Sequence, residues 1–302
     1  MQHIHSLDPG TLSTPVLQQW LQAAVAPRPV AFVSTTDAAG QVNLSPFSFY
    51  NLFSSNPPIL VFSPARRGTD GTTKHTLDNV LEVPEAVVNV VPYAIVAQMS
   101  LASTEYEKGV NEFIKSGLTP VPSDLVRPPR VAESPVAFEC VVDQVISLGA
   151  SGGAGNLVLA RVVRIHAHTA CLTPEGLPDT TRLDLVARMG GNWYCRASGD
   201  ALFEIPKPLR TRGIGVDQLP APVRESTVLT GNELGRLGNA ERVPDAADLE
   251  ALYTDPDVIS LLSRPAEANT PEAWHRLAQR HLAAGHTAHA LALLFFAEKN
   301  RT

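Results

Sequence analysis

A proline stands in the middle of a segment that otherwise reads as a β-strand. Val30 to Thr36 is a β-branched run, Asp37-Ala38-Ala39-Gly40 a turn, and Gln41 to Tyr50 the returning strand, which contains Pro46. Proline has no N–H to donate to a ladder, so this strand must be an edge, kinked or bulged at that point, where backbone and hydroxyl groups become free for a ligand. Further strands are expected at Ile59 to Ser63, Ala86 to Val91, Val136 to Leu148 and Leu157 to His168, the last two flanking a glycine-rich loop at Gly149 to Gly155. Thr76 reads as the N-cap of a helix with Asp78 in its first turn and Pro84 as its stop, and Tyr93 to Ala102 and Asn111 to Lys115 carry shorter helical signals. The strands lack the regularly spaced helices of a doubly wound sheet, so a mainly β, antiparallel barrel with inserted helices is expected.

The chain has 302 residues, with 24 Lys plus Arg against 30 Asp plus Glu. That balance argues against nucleic-acid binding, which needs a basic surface. Apolar runs such as Ala290 to Ala297 fall far short of the ~20 residues of a membrane span, and Met1 to Gly10 lacks the basic start and apolar core of a signal peptide. Cys140, Cys171 and Cys195 form an odd set without a C-x-x-C pair, which fits a reducing, cytoplasmic setting. No metal site is expected. His166 and His168 share a strand face without a nearby third ligand, and His275, His281, His286 and His289 lack a cysteine or carboxylate to complete a set.

Composition shifts after Cys195. Pro206-Lys207-Pro208 and Pro220-Ala221-Pro222 mark a connection, and helix formers fill Leu249 to Leu262 and Pro271 to Lys299. Trp274, Leu277, Ala278 and Leu282, then Leu291, Leu294 and Phe295, recur at helical spacing as an apolar stripe, a feature usually packed on its own protein. The expected division is a barrel domain at 1–213 and a helical extension at 214–302.

Two segments carry chemistry. Gly68-Thr69-Asp70-Gly71-Thr72-Thr73-Lys74 misses the Walker A spacing, yet Arg66, Arg67 and Lys74 bracket glycine and threonine just before a helix N-terminus, a combination suited to a phosphate. Asn43-Leu44-Ser45-Pro46-Phe47-Ser48 offers an amide, two hydroxyls, a ladder break and an aromatic ring, a set suited to a planar heterocycle. With Arg28-Pro29-Val30-Ala31-Phe32-Val33-Ser34-Thr35 before it, and Asn56 to Ser63, Val121-Pro122-Ser123, Glu133 to Cys140 and Arg188 to Tyr194 after it, this block resembles the flavin reductase-like family of FMN-binding split barrels. The shared order of these segments, from about Arg28 to Arg196, carries the resemblance.

The resemblance implies a split β-barrel that binds FMN, with FAD as the alternative flavin, and a flavin oxidoreductase that takes hydride from NADH or NADPH. It implies ring and ribityl contacts from Asn43, Ser45, Pro46, Phe47 and Ser48, phosphate-end contacts from Arg28, Phe62, Ser63, Lys74, His75 and Thr76, and a second wall from Gly190, Gly191 and Tyr194. No catalytic side chain is implied, because the cofactor carries the chemistry. A homodimer is expected, with a monooxygenase or another electron acceptor as partner. The alternatives are a flavoredoxin-like electron carrier and a non-catalytic FMN-binding redox module. Where the family commonly reads K-D-T, this chain has Lys74-His75-Thr76, which removes an anion beside the phosphate.

Overall fold

The computed structural model describes residues 4–205, 212–265 and 269–300, so the Pro206-Lys207-Pro208 connection lies outside the described residues. The chain forms two compact units, Met1–Phe203 and Glu204–Thr302.

In the first unit, strands β2 (Ala31–Thr36), β3 (Val42–Phe47), β4 (Tyr50–Ser55), β5 (Pro58–Phe62), β6 (Glu85–Val90), β9 (Val136–Ser147) and β10 (Asn156–Ala167) form one antiparallel sheet in the order β3-β2-β6-β9-β10-β5-β4. Strand β1 (Arg28–Pro29) pairs with the hairpin β11 (Val186–Arg188) and β12 (Tyr194–Arg196), and β7 (Pro120–Val121) pairs with β8 (Arg130–Val131). Strands β3 and β4 occupy opposite edges of the large sheet, although only Ser48 and Phe49 separate them in sequence. Consecutive Cα atoms are about 3.8 Å apart, so the two edges must come within roughly 11 Å. The sheet therefore curls into a barrel split along the β3/β4 seam. The link is pinned where Ser63 N–H donates to the Phe49 carbonyl at 2.8 Å.

Pro46 lies on an edge strand, as its missing N–H requires, opposite Phe32 of β2. The exposed edge is partly covered: Leu44 N–H donates to a Glu112 carboxylate oxygen at 3.0 Å. Strand β2 is buried throughout and divides its side chains by period two. Ala31 and Val33 enter a core with Phe47, Phe62, Leu77 and Val158, whereas Phe32 enters a second core with Leu44, Met99 and Phe113.

The helices of this unit are α1 (Thr14–Ala24), α2 (His75–Glu82), α3 (Val96–Leu101), α4 (Glu112–Ser116) and α5 (Thr180–Leu183). Strand β4 and helix α1 have no counterpart among the expected elements. Helix α2 corrects the expected cap, because Lys74 occupies the N-cap position and no side chain caps the helix there. Thr76 sits inside the first turn and its hydroxyl accepts from the Asn43 amide at 2.8 Å.

The second unit contains α6 (Ala221–Arg224), α7 (Gly231–Gly238), α8 (Ala246–Ala251), α9 (Pro256–Leu262), α10 (Pro271–Ala283) and α11 (Thr287–Lys299). A turn at Gly285, with φ +85°, separates the last two helices. Helix α11 lies between two apolar clusters: Leu291 and Leu294 face Leu237 and Leu282, while Leu293 and Phe296 face Val258 and Trp274. Most of the apolar stripe is thus used inside this unit. Among the described residues no helix is long and apolar enough to cross a membrane.

Candidate functional site

The strand break and the basic segment meet in space. Asn43 and Ser45 of β3 line one pocket together with Arg67, Lys74, His75 and Thr76. The opposite wall, which the sequence reading did not anticipate, is Ala102 to Tyr106 with Glu112. The buried Asn43–Thr76 hydrogen bond ties β3 to the uncapped N-terminus of α2, whose first N–H groups are the orphan donors that favour an anion.

Lys74 is the central charge. Its Nζ lies 5.7 Å from the Phe47 ring centroid, and among the described residues it makes no ion pair. Burial lowers its pKa from the ordinary lysine value; Glu105 opposes that shift and Arg67 adds to it. Burial and Arg67 likewise lower the pKa of His75. Arg67 donates to the Thr72 hydroxyl at 3.0 Å and to the Thr73 carbonyl, and its Nε lies 3.4 Å from the mostly exposed Glu105 carboxylate. Glu112 is buried at the base of the pocket, and that burial raises its pKa. A half-buried ammonium, a guanidinium and helix N–H groups without intrahelical partners are a combination chemically suited to a phosphate-like anion.

The other expected residues divide differently. Phe47 is almost fully buried, and its ring lies 5.7 Å from that of Phe62. Phe62 itself is completely enclosed in the core and offers a ligand no surface. Ser63 is buried, and its hydroxyl accepts from Asn156 N–H at 3.1 Å, bracing the start of β10.

Arg28 is not among the residues that line the Lys74 pocket. Its buried guanidinium donates to the carbonyls of Gln22 and Val25 at 2.5 Å each, and to Met189 at 3.0 Å, which fastens the C-terminus of α1 to the β11–β12 hairpin. Its Nε reaches the Ser48 hydroxyl at 3.5 Å. Gly190, Gly191 and Tyr194 belong to this second group. A Cβ on Gly190 would lie 3.0 Å from the Ala23 backbone, so glycine permits the close approach of α1. Arg188 donates to the Tyr194 hydroxyl at 2.6 Å and to the Gly191 carbonyl at 2.7 Å.

His166 also has a partner that its sequence neighbourhood conceals. Asp124, Glu139 and His166 place one potential ligand atom each within 4.8 Å of one another. Glu139 is fully buried and already saturated: its oxygens accept from Asp124 N–H and Leu125 N–H at 2.7 Å, and one lies 2.6 Å from His166 Nε2. Burial alone would raise the Glu139 carboxyl, but these contacts hold it below the usual range. The cluster anchors the 123–125 loop to the sheet.

With this geometry in place, the comparisons with known proteins agree on the first unit. Residues 24–178 match the flavin reductase like domain. An uncharacterized protein of Halalkalibacterium halodurans is 40% identical over 190 residues, which is 62% of this chain and 90% of that protein. The solved structure of nitrilotriacetate monooxygenase component B from Bacillus cereus superposes with a TM-score of 0.63 at 28% identity, over 68% of this chain and 100% of that one. A split-barrel-domain protein from Shewanella frigidimarina superposes with a TM-score of 0.58 at 24% identity, over 68% and 100% of the two chains, a likeness of fold.

Proposed function

Because the chain belongs to the flavin reductase-like family, we propose that it binds FMN in the Asn43–Lys74 pocket and acts as an NAD(P)H:flavin oxidoreductase. FAD is the alternative flavin. The observation that carries this reading is Lys74, a half-buried ammonium without an ion-pair partner among the described residues, close to the Phe47 ring and at the uncapped N-terminus of α2. Such a charge calls for an anionic ligand.

When bound, the flavin supplies the hydride-accepting chemistry, and no side chain needs to act as a nucleophile. Lys74 and Arg67 hold the phosphate, His75 adds positive charge when protonated, and the N–H groups at the start of α2 complete the cradle. The Asn43 amide N–H is committed to Thr76, which leaves its carbonyl to accept from a ring N–H. The Ser45 hydroxyl adds a donor or acceptor on the same strand, and Phe47 backs Lys74. A separate electron acceptor would fit the likeness to a monooxygenase component B.

The flavin chemistry resides in the first unit, with cytoplasmic operation favoured by three unpaired cysteines. We also place the working protein as a homodimer, since edge strand β4 exposes Leu52 and Phe53. Sedimentation as a monomer at micromolar concentration with flavin bound opposes that assembly.

Anaerobic addition of NADH or NADPH to the flavin-loaded protein tests the activity. Bleaching of the flavin absorbance with stoichiometric nicotinamide oxidation is expected. Retained flavin that neither nucleotide reduces would identify an electron carrier instead.

A further inference from the structure

The Lys74 pocket carries a carboxylate beside its cations. Glu105, in the loop after α3, lines the pocket and lies 3.4 Å from Arg67 Nε. The two partners are held very differently. The Arg67 guanidinium is fixed by one terminal nitrogen, which donates to the Thr72 hydroxyl at 3.0 Å and to the Thr73 carbonyl, and only 18% of the side chain is exposed. Its main chain is pinned too, with Arg67 N–H donating to the Thr72 carbonyl and Gly71 N–H to the Arg67 carbonyl, each at 2.9 Å. The Glu105 side chain is 65% exposed and, among the described residues, makes no other hydrogen bond or ion pair. On either side of it the loop is secured: Thr104 N–H donates to the Leu101 carbonyl at 3.1 Å, and Tyr106 N–H to the Thr104 carbonyl at 2.9 Å.

We infer that Glu105 competes with the flavin phosphate for Arg67 and so keeps the flavin exchangeable rather than permanently held. The inference rests on the reading that this pocket takes the phosphate end of FMN. With one terminal nitrogen committed to Thr72 and Thr73, the fork that Arg67 has left for a phosphate is Nε with the other terminal nitrogen, and Glu105 sits on its Nε side. Two anions at one guanidinium repel each other, and the carboxylate is the partner with freedom to give way. A mostly exposed ion pair is weak, whereas a phosphate monoester carries about 1.5 to 2 negative charges at neutral pH and accepts from Lys74, Arg67 and the start of α2 together. The exchange therefore runs toward the phosphate at reduced affinity, and Glu105 takes Arg67 back as the phosphate leaves.

The other carboxylate that lines the pocket has no such freedom. Glu112 is buried and accepts from Leu44 N–H at 3.0 Å, so moving it would expose the edge of β3. Of the two, Glu105 alone leaves without disturbing packing. Its departure uncovers a pocket whose remaining mobile charges, Arg67, Lys74 and His75 when protonated, are all positive.

FMN and riboflavin are the probes, titrated at neutral pH and one salt concentration into the flavin-free full chain, with FMN release followed by stopped-flow displacement. Glu105→Gln is expected to bind FMN about three to ten times more tightly, mostly through slower release, and to bind riboflavin as wild type does. Glu105→Asp keeps the charge and should stay closer to wild type. In an Arg67→Ala background the gain from Glu105→Gln should fall to less than half. A wild-type preference for FMN over riboflavin that Glu105→Gln leaves unchanged or lowers overturns the inference alone. So does an equal gain for both flavins, or a gain that survives undiminished without Arg67. A wild type that binds FMN no more tightly than riboflavin overturns the phosphate reading of the pocket and this inference with it. Glu105 is mostly exposed, so an unfolding temperature near that of wild type is expected for its variants, which decide the matter even if Arg67→Ala loosens its own loop.

Discussion

The Lys74 ammonium lies 5.7 Å from the centre of the Phe47 ring, so the charge of the basic segment and the aromatic residue of the strand-break block share one locus. Removing the charge should affect the phosphate end of a ligand alone. Lys74→Ala is expected to weaken FMN by about 1.5 to 3 kcal/mol, the worth of a charge-assisted contact, and riboflavin far less. Titrating both flavins into apo-protein at one salt concentration checks this; equal losses for both would indicate damage to the ring pocket.

The pKa of Lys74 is lowered by burial, with Glu105 acting against that shift and Arg67 reinforcing it. A bound phosphate raises it again, because opposite charge favours the protonated form. The share of the preference for FMN over riboflavin that Lys74 supplies should therefore be complete below its free-state pKa and be lost as pH rises through its bound-state pKa, leaving the part supplied by Arg67 and the α2 N–H groups. In Lys74→Arg the guanidinium stays charged, so any remaining preference should be insensitive to pH over the same alkaline range. Flavin affinities measured across that range provide the check.

Arg28 holds three main-chain carbonyls of α1 and the β11–β12 hairpin, so its replacement should register in stability. Arg28→Ala is expected to cost about 3 kcal/mol, and Arg28→Lys to recover only part, since an ammonium lacks the planar fork. The ratio of FMN to riboflavin affinity should stay at the wild-type value. Denaturant unfolding and flavin titration of the same samples separate the two effects.

Cys140 is fully enclosed in the barrel core, and burial pushes its thiol up to about 12. Cys171 and Cys195 are partly exposed. A thiol reagent at neutral pH should modify no more than two cysteines in the native protein, with the third reacting only on unfolding; mass spectrometry of the labelled peptides identifies which.

Much of the barrel is written locally. Pro46 forces an edge strand, and Asp37-Ala38-Ala39-Gly40 makes the preceding hairpin, with Asp37 accepting from Gln41 N–H at 2.8 Å and Gly40 at φ +80°. Strand β4 escaped notice because Ser48-Phe49 carries no turn signal, although the chain crosses there from one sheet edge to the other. Asn43, Ser45, Lys74, His75 and Thr76 were legible as candidates because they fall in two short blocks of distinctive chemistry, and the fold brings them to one pocket. Glu105 and Tyr106 come from a later loop and Glu112 from the start of α4, and only tertiary folding brings them near. The contacts of Arg28 were hidden for a different reason: its partners are backbone carbonyls, which leave no trace in residue identity. His281 and His289 meet aspartates more than twenty residues upstream, a separation that hides those contacts from the sequence.

The placement of β3 and β4 at opposite edges also sets a schedule for biosynthesis. Both edge hairpins, β2–β3 and β4–β5, are translated by Phe62, but the strands that fill the middle are not complete until Ala167. At synthesis rates of about 5 to 20 residues per second, roughly 5 to 20 seconds separate those two points. Until Val90 is made β2 waits for β6, and for nearly the whole interval β5 waits for β10, each with a row of unpaired backbone groups. The nascent chain is thus most open to mispairing with its neighbours on the polysome, a hazard that ends once the central strands arrive and the finished barrel leaves no trace of it.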